Sequence, residues 1–567
     1  MKHFYPNLFR LVGVLLVWMG ATTAHVHAQS PTWQTAVAFR PDPNTPGSGN
    51  VSVGATATDA AGNIYLCGPF NGTAVFGTFS LASSRSYGYD VFVAKWNPRT
   101  GSFAWAVRAG GGGTVSVTSL SVQGTSVYIG GSFFQSATFG ATTLTCASNN
   151  NDVYVAKLTD TGASTAFTWA VRTQTTGSLF DTRDAYITAS NNGIYLATNF
   201  VGAATFGGRT LVSAGFNDVL VAKLTDAGST ASFTWAQRAG GSSIDFVYAV
   251  AVAGDRVYVA GSTSSGTADF GNTTLTSGSG NAGFVAKLTD AGPTGSFAWA
   301  QLAGQYNYAL AANGPNIYLA GTFVGSSTLG TLPVNSSGSS VASYVAKLTD
   351  AGPSGSFAWA QVIGGPNNCF LNRLAVNGPN VYATGSFYQA VQVGTTAFTS
   401  YGRYDGLLVK LLDAGPTGSI AWAQQAGGPS DDGLGDILLS NGSVYVAGGM
   451  NGDMQFGSLV LPAVGGSANG FLASVADATV LAIASPVKQR TFQFFPNPAH
   501  GSTSVQLPAG TVAADAVLCD ALGRPVRCRI LPTADGTVEL DLAGLAPGLY
   551  CLRSTTCPTF GSRLLVN

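Results

Sequence analysis

One phrase of sequence recurs between about Trp33 and Ser474. Each copy holds a Trp, an Ile/Val-Tyr step, a Phe-Gly or similar turn and a Val-Ala-Lys strand end. The tryptophans are Trp33, Trp105, Trp169, Trp235, Trp299, Trp359 and Trp422, and from Trp105 onward they fall 64, 66, 64, 60 and 63 residues apart. The tyrosines Tyr65, Tyr128, Tyr195, Tyr258, Tyr318, Tyr382 and Tyr445 keep the same beat, at 63, 67, 63, 60, 64 and 63 residues. A fixed period of this size means a propeller or a solenoid built from one repeated unit.

The unit itself decides between the two. Around Trp235, Phe233–Gln237 reads as a short strand ended by Gly240-Gly241. Tyr248–Val252, Arg256–Ala260 and Phe284–Leu288 read as three more, with turns at Gly254-Asp255 and Thr289–Gly292. The runs are β-branched or aromatic and bounded by Gly, Asp or Asn, and none carries a helical period. Four strands with their loops use roughly 40–45 residues. The remainder holds a second phrase, Ala137–Gly140, Ala204–Gly207, Ala268–Gly271 and Met454–Gly457, which predicts a small extra hairpin. Four strands per unit fit a β-propeller. The last copy ends at Phe471–Ser474 with no Trp strand after it, while the chain opens on a Trp strand without a unit of its own, Pro31–Thr35. If the Trp33 strand completes the seventh blade, every blade has four strands and the ring closes without a free edge.

The phrases Phe297-Ala-Trp-Ala-Gln301, Asn316-Ile-Tyr-Leu-Ala-Gly321 and Gly283-Phe-Val-Ala-Lys-Leu-Thr-Asp-Ala-Gly292 give residues 31–475 a likeness to secreted bacterial proteins. The chain resembles the seven-bladed propeller repeat family found there. Ser474 departs from the Lys of the other copies.

The repeated Lys95, Lys157, Lys223, Lys287, Lys347 and Lys410 could form a cationic ring for an acidic glycan. A framework role accounts for them better. An Asp follows three residues later in five copies, at Asp160, Asp226, Asp290, Asp350 and Asp413. The stem then covers apolar surface while the amine stays wet or meets that Asp. The repeated Trp rings read as packing between blades.

Residues 1–28 read as a secretory signal peptide: Lys2, His3 and Arg10, the apolar run Leu11–Met19, then Val26-His27-Ala28 as a cleavage site. The run is too short for a membrane span, and no later stretch is long and apolar enough for one. Charged residues make up 9% of the chain and formal net charge is zero, with no basic stripe, which argues against a nucleic-acid partner. His500 is the one histidine beyond residue 28, and Glu539 is the one glutamate. The repeats therefore lack His-based general bases, Ser-His-Asp triads and His-rich metal sites. No cofactor and no catalytic residue is expected. Cys67, Cys146 and Cys369 read as small buried hydrophobes, whereas Cys519, Cys528, Cys551 and Cys557 cluster near the C-terminus with their pairing open.

Candidate ligand-binding residues lie in the loops that leave the Trp strands, because these differ in every copy while the other turns are nearly uniform. They are Asp181 and Arg183 beside Phe180; Asp245 between Ile244 and Phe246; Tyr306 and Tyr308; Asn367 and Asn368; and Asp431 and Asp432. Aromatics beside Asp and Asn suit sugar rings or peptide segments. Asp431, Asp432 and Asp436 form the densest acidic group. Their spacing is not that of an EF-hand, and no metal is expected there. Adjacent carboxylates on an extended segment point apart, which disfavours a glycosidase pair.

Residues 476–489 read as an Ala/Val-rich linker, and the text then changes. Ser504–Leu507, Ala516–Asp520, Val526–Leu531, Thr537–Leu542, Leu549–Arg553 and Arg563–Val566 read as six short strands of a small β-sandwich over 490–567. Four features mark this block: Pro496-Asn497-Pro498, the hairpin with Asp520, Gly523 and Arg524, the segment ending Gly548-Leu-Tyr550, and the basic-aliphatic end from Arg563. With these it resembles the C-terminal sorting domain of the type IX secretion system of Bacteroidetes-type bacteria. The resemblance implies passage across the outer membrane by that machinery, often with removal of the module at the cell surface. A carbohydrate-binding sandwich is the alternative, and the block lacks an exposed-aromatic cluster for it.

The sequence thus predicts an all-β chain: signal peptide (1–28), seven-bladed β-propeller (29–475), linker (476–489) and sorting sandwich (490–567). A secreted or surface-displayed binding or adhesion propeller is the expected function, with an extracellular glycan or protein as ligand. A structural surface component comes next, and a glycan-active enzyme last.

Overall fold

The computed structural model describes residues 31–566, apart from 43–48, 86–87, 147–150, 176–183, 279, 464–467, 481–492, 507–515, 521–523, 534–536 and 555–560. The signal-peptide segment lies outside the described residues. The chain divides into two compact units, Met1–Leu481 and Ala482–Asn567, with the division inside the stretch read as linker.

The first unit is all-β and consists of small antiparallel sheets that repeat one plan. In the sheet ending at Trp235, Ala185–Ser190, Gly193–Phe200, Asp218–Asp226 and Ala231–Gly241 lie side by side in chain order. The same four-strand order builds the sheets that end at Trp105, Trp169, Trp299, Trp359 and Trp422. One further sheet takes Asp436–Ser440, Ser443–Met450 and Asn469–Ala476 from the last repeat and Trp33–Pro41 from the start of the chain. There Ala36 pairs with Ala473 and Phe39 with Gly470, antiparallel.

Second and third strands are buried on both faces, as in Arg256–Thr263 and Ala282–Asp290. Each sheet is covered by a neighbour on each side, so both pleat faces must be apolar. That is why these strands read as unbroken runs such as Val-Tyr-Val-Ala. The core sits between sheets: one cluster joins Tyr195, Val219, Val221 and Trp235 of one sheet to Val257, Val259, Phe270 and Phe284 of the next. First strands lie against one another in chain order, and Asp436–Ser440 lies against Ala55–Thr58.

The extra hairpins reach the preceding sheet, and in the Trp422 repeat the hairpin is also continuous with its own sheet, through the long strands Asn380–Val393 and Thr396–Asp413. Thr267–Phe270, from the Trp299 repeat, pairs with the outer strand of the Trp235 sheet, Ala239 against Phe270 and Gly241 against Ala268. Thr73–Phe76 likewise pairs with the Trp33 strand, Arg40 against Val75. The hairpins cover the outer edges that would otherwise template aggregation.

The lysine reading is corrected in two respects. The amines are buried rather than wet, with the six residues 4–7% exposed. Nor does each meet the Asp three residues after it. It meets the Asp of the next repeat: Lys95–Asp160 2.6 Å, Lys157–Asp226 2.6 Å, Lys223–Asp290 2.7 Å, Lys287–Asp350 2.8 Å, Lys347–Asp413 2.7 Å and Lys410–Asp477 2.7 Å. The repeated Tyr and Trp end on the same carboxylates. Tyr195 Oη donates to Asp290 Oδ2 at 2.6 Å and Trp235 Nε1 to Asp290 Oδ1 at 3.0 Å. Each Asp is thus a hub that takes Lys, Tyr and, in five copies, Trp from the preceding sheet. Asp477, inside the stretch read as linker, is the last hub and takes Lys410 and Tyr382.

The Ala482–Asn567 unit joins its strands in the order Ala516–Cys519, Gly548–Ser554, Gly561–Val566, Gln493–His500, Ser502–Gln506, Thr537–Asp541 and Arg529–Pro532. The six expected strands are present, and Gln493–His500 is an added one. It carries Pro496, Asn497 and Pro498 and lies parallel to the last strand, Ala499 against Val566. Val505, Leu518, Leu540, Leu552, Leu564 and neighbours form one buried cluster.

Candidate functional site

Register fixes a level common to all first strands. Two residues after each repeated Tyr stands Cys67, Gly130, Ala197, Ala260, Ala320, Thr384 or Ala447. Opposite these stand Ala55, Ser119, Tyr186, Ala249, Ala309, Arg373 and Asp436. Four sheets put Ala or Ser at this level. The other three put a phenol, a guanidinium and a carboxylate.

These residues line a cavity of about 260 Å³, together with Thr56, Thr118, Tyr248 and Tyr308 and an apolar wall that includes Leu120, Ile187 and Leu374. Tyr248 and Tyr308 enter because bulges between Val247 and Ala249 and between Asn307 and Ala309 leave them unpaired in the ladder. Their ring centroids are 5.1 Å apart. Tyr306 stacks on Tyr308 at 5.9 Å with an interplanar angle of 2°, and Phe246 lies 6.0 Å from Tyr248. A row of four aromatic rings therefore runs out of the cavity along adjacent strands.

The polar groups are held from different sheets. Tyr186 Oη donates to Asp184 Oδ2 at 3.0 Å. Burial, then the Asp184 charge, pushes the Tyr186 phenol well above its usual range. Asp436 Oδ2 accepts from Thr56 N at 2.6 Å and Thr56 Oγ1 at 2.7 Å, and its Oδ1 lies 3.6 Å from Arg373 Nε. Burial raises the Asp436 carboxyl although Arg373 and Thr56 oppose the shift. Arg373 gives one further hydrogen bond to the Asn372 carbonyl at 2.8 Å. The arrangement offers phenol and guanidinium donors, a carboxylate and aromatic faces around a small space. It holds no nucleophile–base pair.

The loop residues singled out from sequence separate into different environments. Asp181 and Arg183 lie outside the described residues. Asp245 is buried and accepts from Gly241 N at 2.7 Å and Ser265 Oγ at 3.0 Å, which makes it part of its turn. Asn368 Oδ1 accepts from Val341 N at 3.0 Å, and Asn367 Nδ2 donates to Gln389 Oε1 at 3.2 Å. Asp431 is exposed beside Arg403 at 3.3 Å, Asp432 is buried, and Asp436 lies in the cavity. The acidic group read from sequence is therefore three separate sites. Among the described residues of this set, Tyr308 lines the cavity and Tyr306 reaches it by stacking on Tyr308. Sequence reasoning passed over Thr56, Tyr186, Tyr248 and Arg373. The signal was available: counting from each repeated Tyr back across the hairpin shows Tyr186, Arg373 and Asp436 standing where other copies keep Ala or Ser.

In the second unit the marked residues take local roles. Leu565 N donates to Asn497 Oδ1 at 2.9 Å, and Thr503 Oγ1 to the Pro496 carbonyl at 2.7 Å, so the Pro-Asn-Pro segment ties the last strand to the second. Arg524 Nε closes on Asp520 Oδ2 at 2.8 Å, and Tyr550 Oη donates to the Ala546 carbonyl at 2.8 Å. Gly523 lies outside the described residues, as does the side chain of Arg563.

Residues 493–561 match the family model of the secretion system C-terminal sorting domain. The C-terminal unit carries that domain, and the chain is exported to the cell surface or the extracellular space. No curated protein matches the chain. Among solved structures it is similar to a protein from Lactobacillus plantarum, at 13% identity over 68% of this chain and 88% of that one, TM-score 0.38. It is also similar to the phage phi92 endosialidase, at 13% identity over 94% and 88%, TM-score 0.36. The third is Saccharomyces cerevisiae Sqt1, at 8% identity over 79% and 100%, TM-score 0.38. Likenesses this distant carry no argument about activity.

Proposed function

We propose that the exported cargo is a closed seven-bladed propeller that binds an extracellular ligand at the cavity between its first strands. The ligand is a small polar ring compound, a sugar residue in the first instance. The cycle of first strands and the pairing of the Trp33 strand with the last repeat support the blade count. One observation carries the binding reading: at a level where the framework asks for Ala or Ser, three sheets place Tyr186, Arg373 and Asp436. Framework roles account for the repeated polar groups, and the bonds from Thr56 account for part of Asp436, but none accounts for Tyr186 or Arg373. Tyr306, Tyr308 and Tyr248 give flat faces for a ring, and Arg373 gives a fork for hydroxyl or carboxylate oxygens.

A glycan array read with the wild type and with Arg373→Ala and Tyr308→Ala tests this. Binding that falls at least tenfold in both variants, with unchanged melting, is expected. Absence of any array binding by the wild type would favour a structural surface component. Binding that survives in both variants would place the site elsewhere.

A further inference from the structure

In four sheets a buried Asp of the third strand stands opposite a Phe of the second: Asp90 opposite Phe70, Asp152 opposite Phe133, Asp218 opposite Phe200 and Asp405 opposite Phe387. In three of them an Arg from the Trp strand of the same sheet answers it, Arg108 at 2.8 Å, Arg172 at 2.5 Å and Arg238 at 2.5 Å. At Asp405 the corresponding residue is Gln425, whose Nε2 donates to Oδ2 at 2.6 Å. The charge is left uncompensated. A second carboxylate makes the deficit larger. Asp432, in the loop that follows the Trp422 strand, is 4% exposed. Among the described residues neither of its oxygens has a side-chain or backbone partner at hydrogen-bond geometry, and Asp405 Oδ1 has none either. The backbone amides of Gly428 and Asn451 favour the Asp432 carboxylate, whereas burial and the charges of Asp405 and Asp431 oppose it. Arg403, two residues before Asp405, pairs instead with the exposed Asp431.

Glycine stands where these oxygens come closest to the backbone, because no larger residue fits. A Cβ on Gly427 would come 2.5 Å from Asp405 Oδ1. One on Gly428 would come 2.0 Å from the Asp453 carbonyl oxygen and 3.3 Å from Asp432 Oδ2. The fold provides its own comparison. Asp218 and Asp245 meet in the same way across Gly240, where a Cβ would lie 3.0 Å from Asp218 Oδ1 and 2.8 Å from Asp245 Oδ2. That pair has Arg238 beside it.

We infer that the loop after the Trp422 strand binds a hard divalent cation, calcium, through Asp405 Oδ1, the carboxylate of Asp432 and the Asp453 carbonyl. The donors are all oxygen, as calcium requires, and water completes the shell. Two buried carboxylates without a counter-charge are otherwise costly. The ion takes the place that Arg238 fills in the Trp235 sheet. This site is separate from the cavity and does not depend on the ligand proposed there.

The full chain is titrated with calcium chloride at neutral pH by calorimetry and by terbium luminescence, and melted with and without EGTA. Binding of one ion per chain and a melting temperature several degrees higher with calcium are expected. Asp432→Asn should weaken binding at least tenfold. Gln425→Arg should abolish it and give a melting temperature that no longer responds to calcium. That variant keeps the pair compensated, so it separates loss of the ion from loss of the fold. A wild type that neither takes up calcium nor melts differently with it would overturn the inference and leave a proton shared between the two carboxylates. So would a Gln425→Arg chain that still binds.

Discussion

At the residue scale the hub aspartates explain why the repeat is spelled as it is. A Lys, a Tyr and a Trp recur in register because all three must reach one carboxylate of the next sheet. Burial pushes the Asp290 carboxyl up, but Lys223, Tyr195 and Trp235 outweigh it and hold it below its ordinary range. Asp160, Asp226, Asp350 and Asp413 are shifted the same way against burial, each by its Lys and Tyr, and Asp477 by Lys410 and Thr479. Replacing Asp290 by Ala strands a buried ammonium and two neutral donors, and should cost about 3–5 kcal/mol in urea unfolding. The pair replacement Lys223→Met with Asp290→Leu should cost less than Asp290→Ala alone, because no charge is stranded. A depressed carboxylate contributes stability that is complete above its unfolded value, near 3.9, and is lost as pH falls through the folded value. Six such groups predict a steep loss of stability below about pH 4, read as the urea midpoint against pH. Asp432, raised by burial to about 7, works in the opposite sense as pH rises and does not set that limb. The sequence showed that Lys and Asp belong together, but the three-residue spacing pointed to the wrong Asp. A partner on the next repeat becomes visible when two sheets are laid face to face.

At the scale of the element, one junction is made differently. Ser474 stands in the lysine position of the last repeat, and Pro98 stands three residues after Lys95, where other copies have the hub Asp. Trp33 Nε1 is buried and has no partner among the described residues. The contact between the last and first repeats thus has no hub. It is held by the pairing of Trp33–Pro41 with Asn469–Ala476, by Thr56 on Asp436, and by an apolar cluster of Phe39, Ile64, Leu66, Phe92, Leu438 and Leu472. Removing residues 29–40 should expose the third strand of that sheet and the outer face of the Thr73–Phe76 hairpin. Loss of a single cooperative melting transition, or aggregation, is expected. A melting curve like that of the intact chain would contradict the role given to this strand. The strand was legible in the sequence as a Trp phrase without a repeat of its own. The docking of each hairpin on the preceding sheet was not, since Ala-Thr-Phe-Gly says hairpin and nothing in it says which edge it meets. The cavity was equally hidden. Tyr186, Arg373 and Asp436 come from three strands far apart in the chain, and register alone brings them to one level.

At the scale of the whole molecule, the two units are legible in the sequence for different reasons. The repeat unit was predictable because the same pattern was written many times. The sorting domain was legible because Pro496-Asn497-Pro498, Asp520 and Tyr550 each hold a turn or a strand end that the small fold needs. Every hub, including Lys410 with Asp477, lies upstream of residue 482, so the repeat unit should fold without the C-terminal one. Circular dichroism and melting of a chain ending at residue 489 should match those of the full-length protein above the sorting domain's own contribution. The central claim is that the second unit exports the first. Expression of the chain truncated after residue 489 in its native host, followed by fractionation, tests it most directly. A folded repeat unit that collects in the periplasm and is missing from the surface and the medium is expected. Normal amounts of the truncated protein at the surface or in the medium would contradict it.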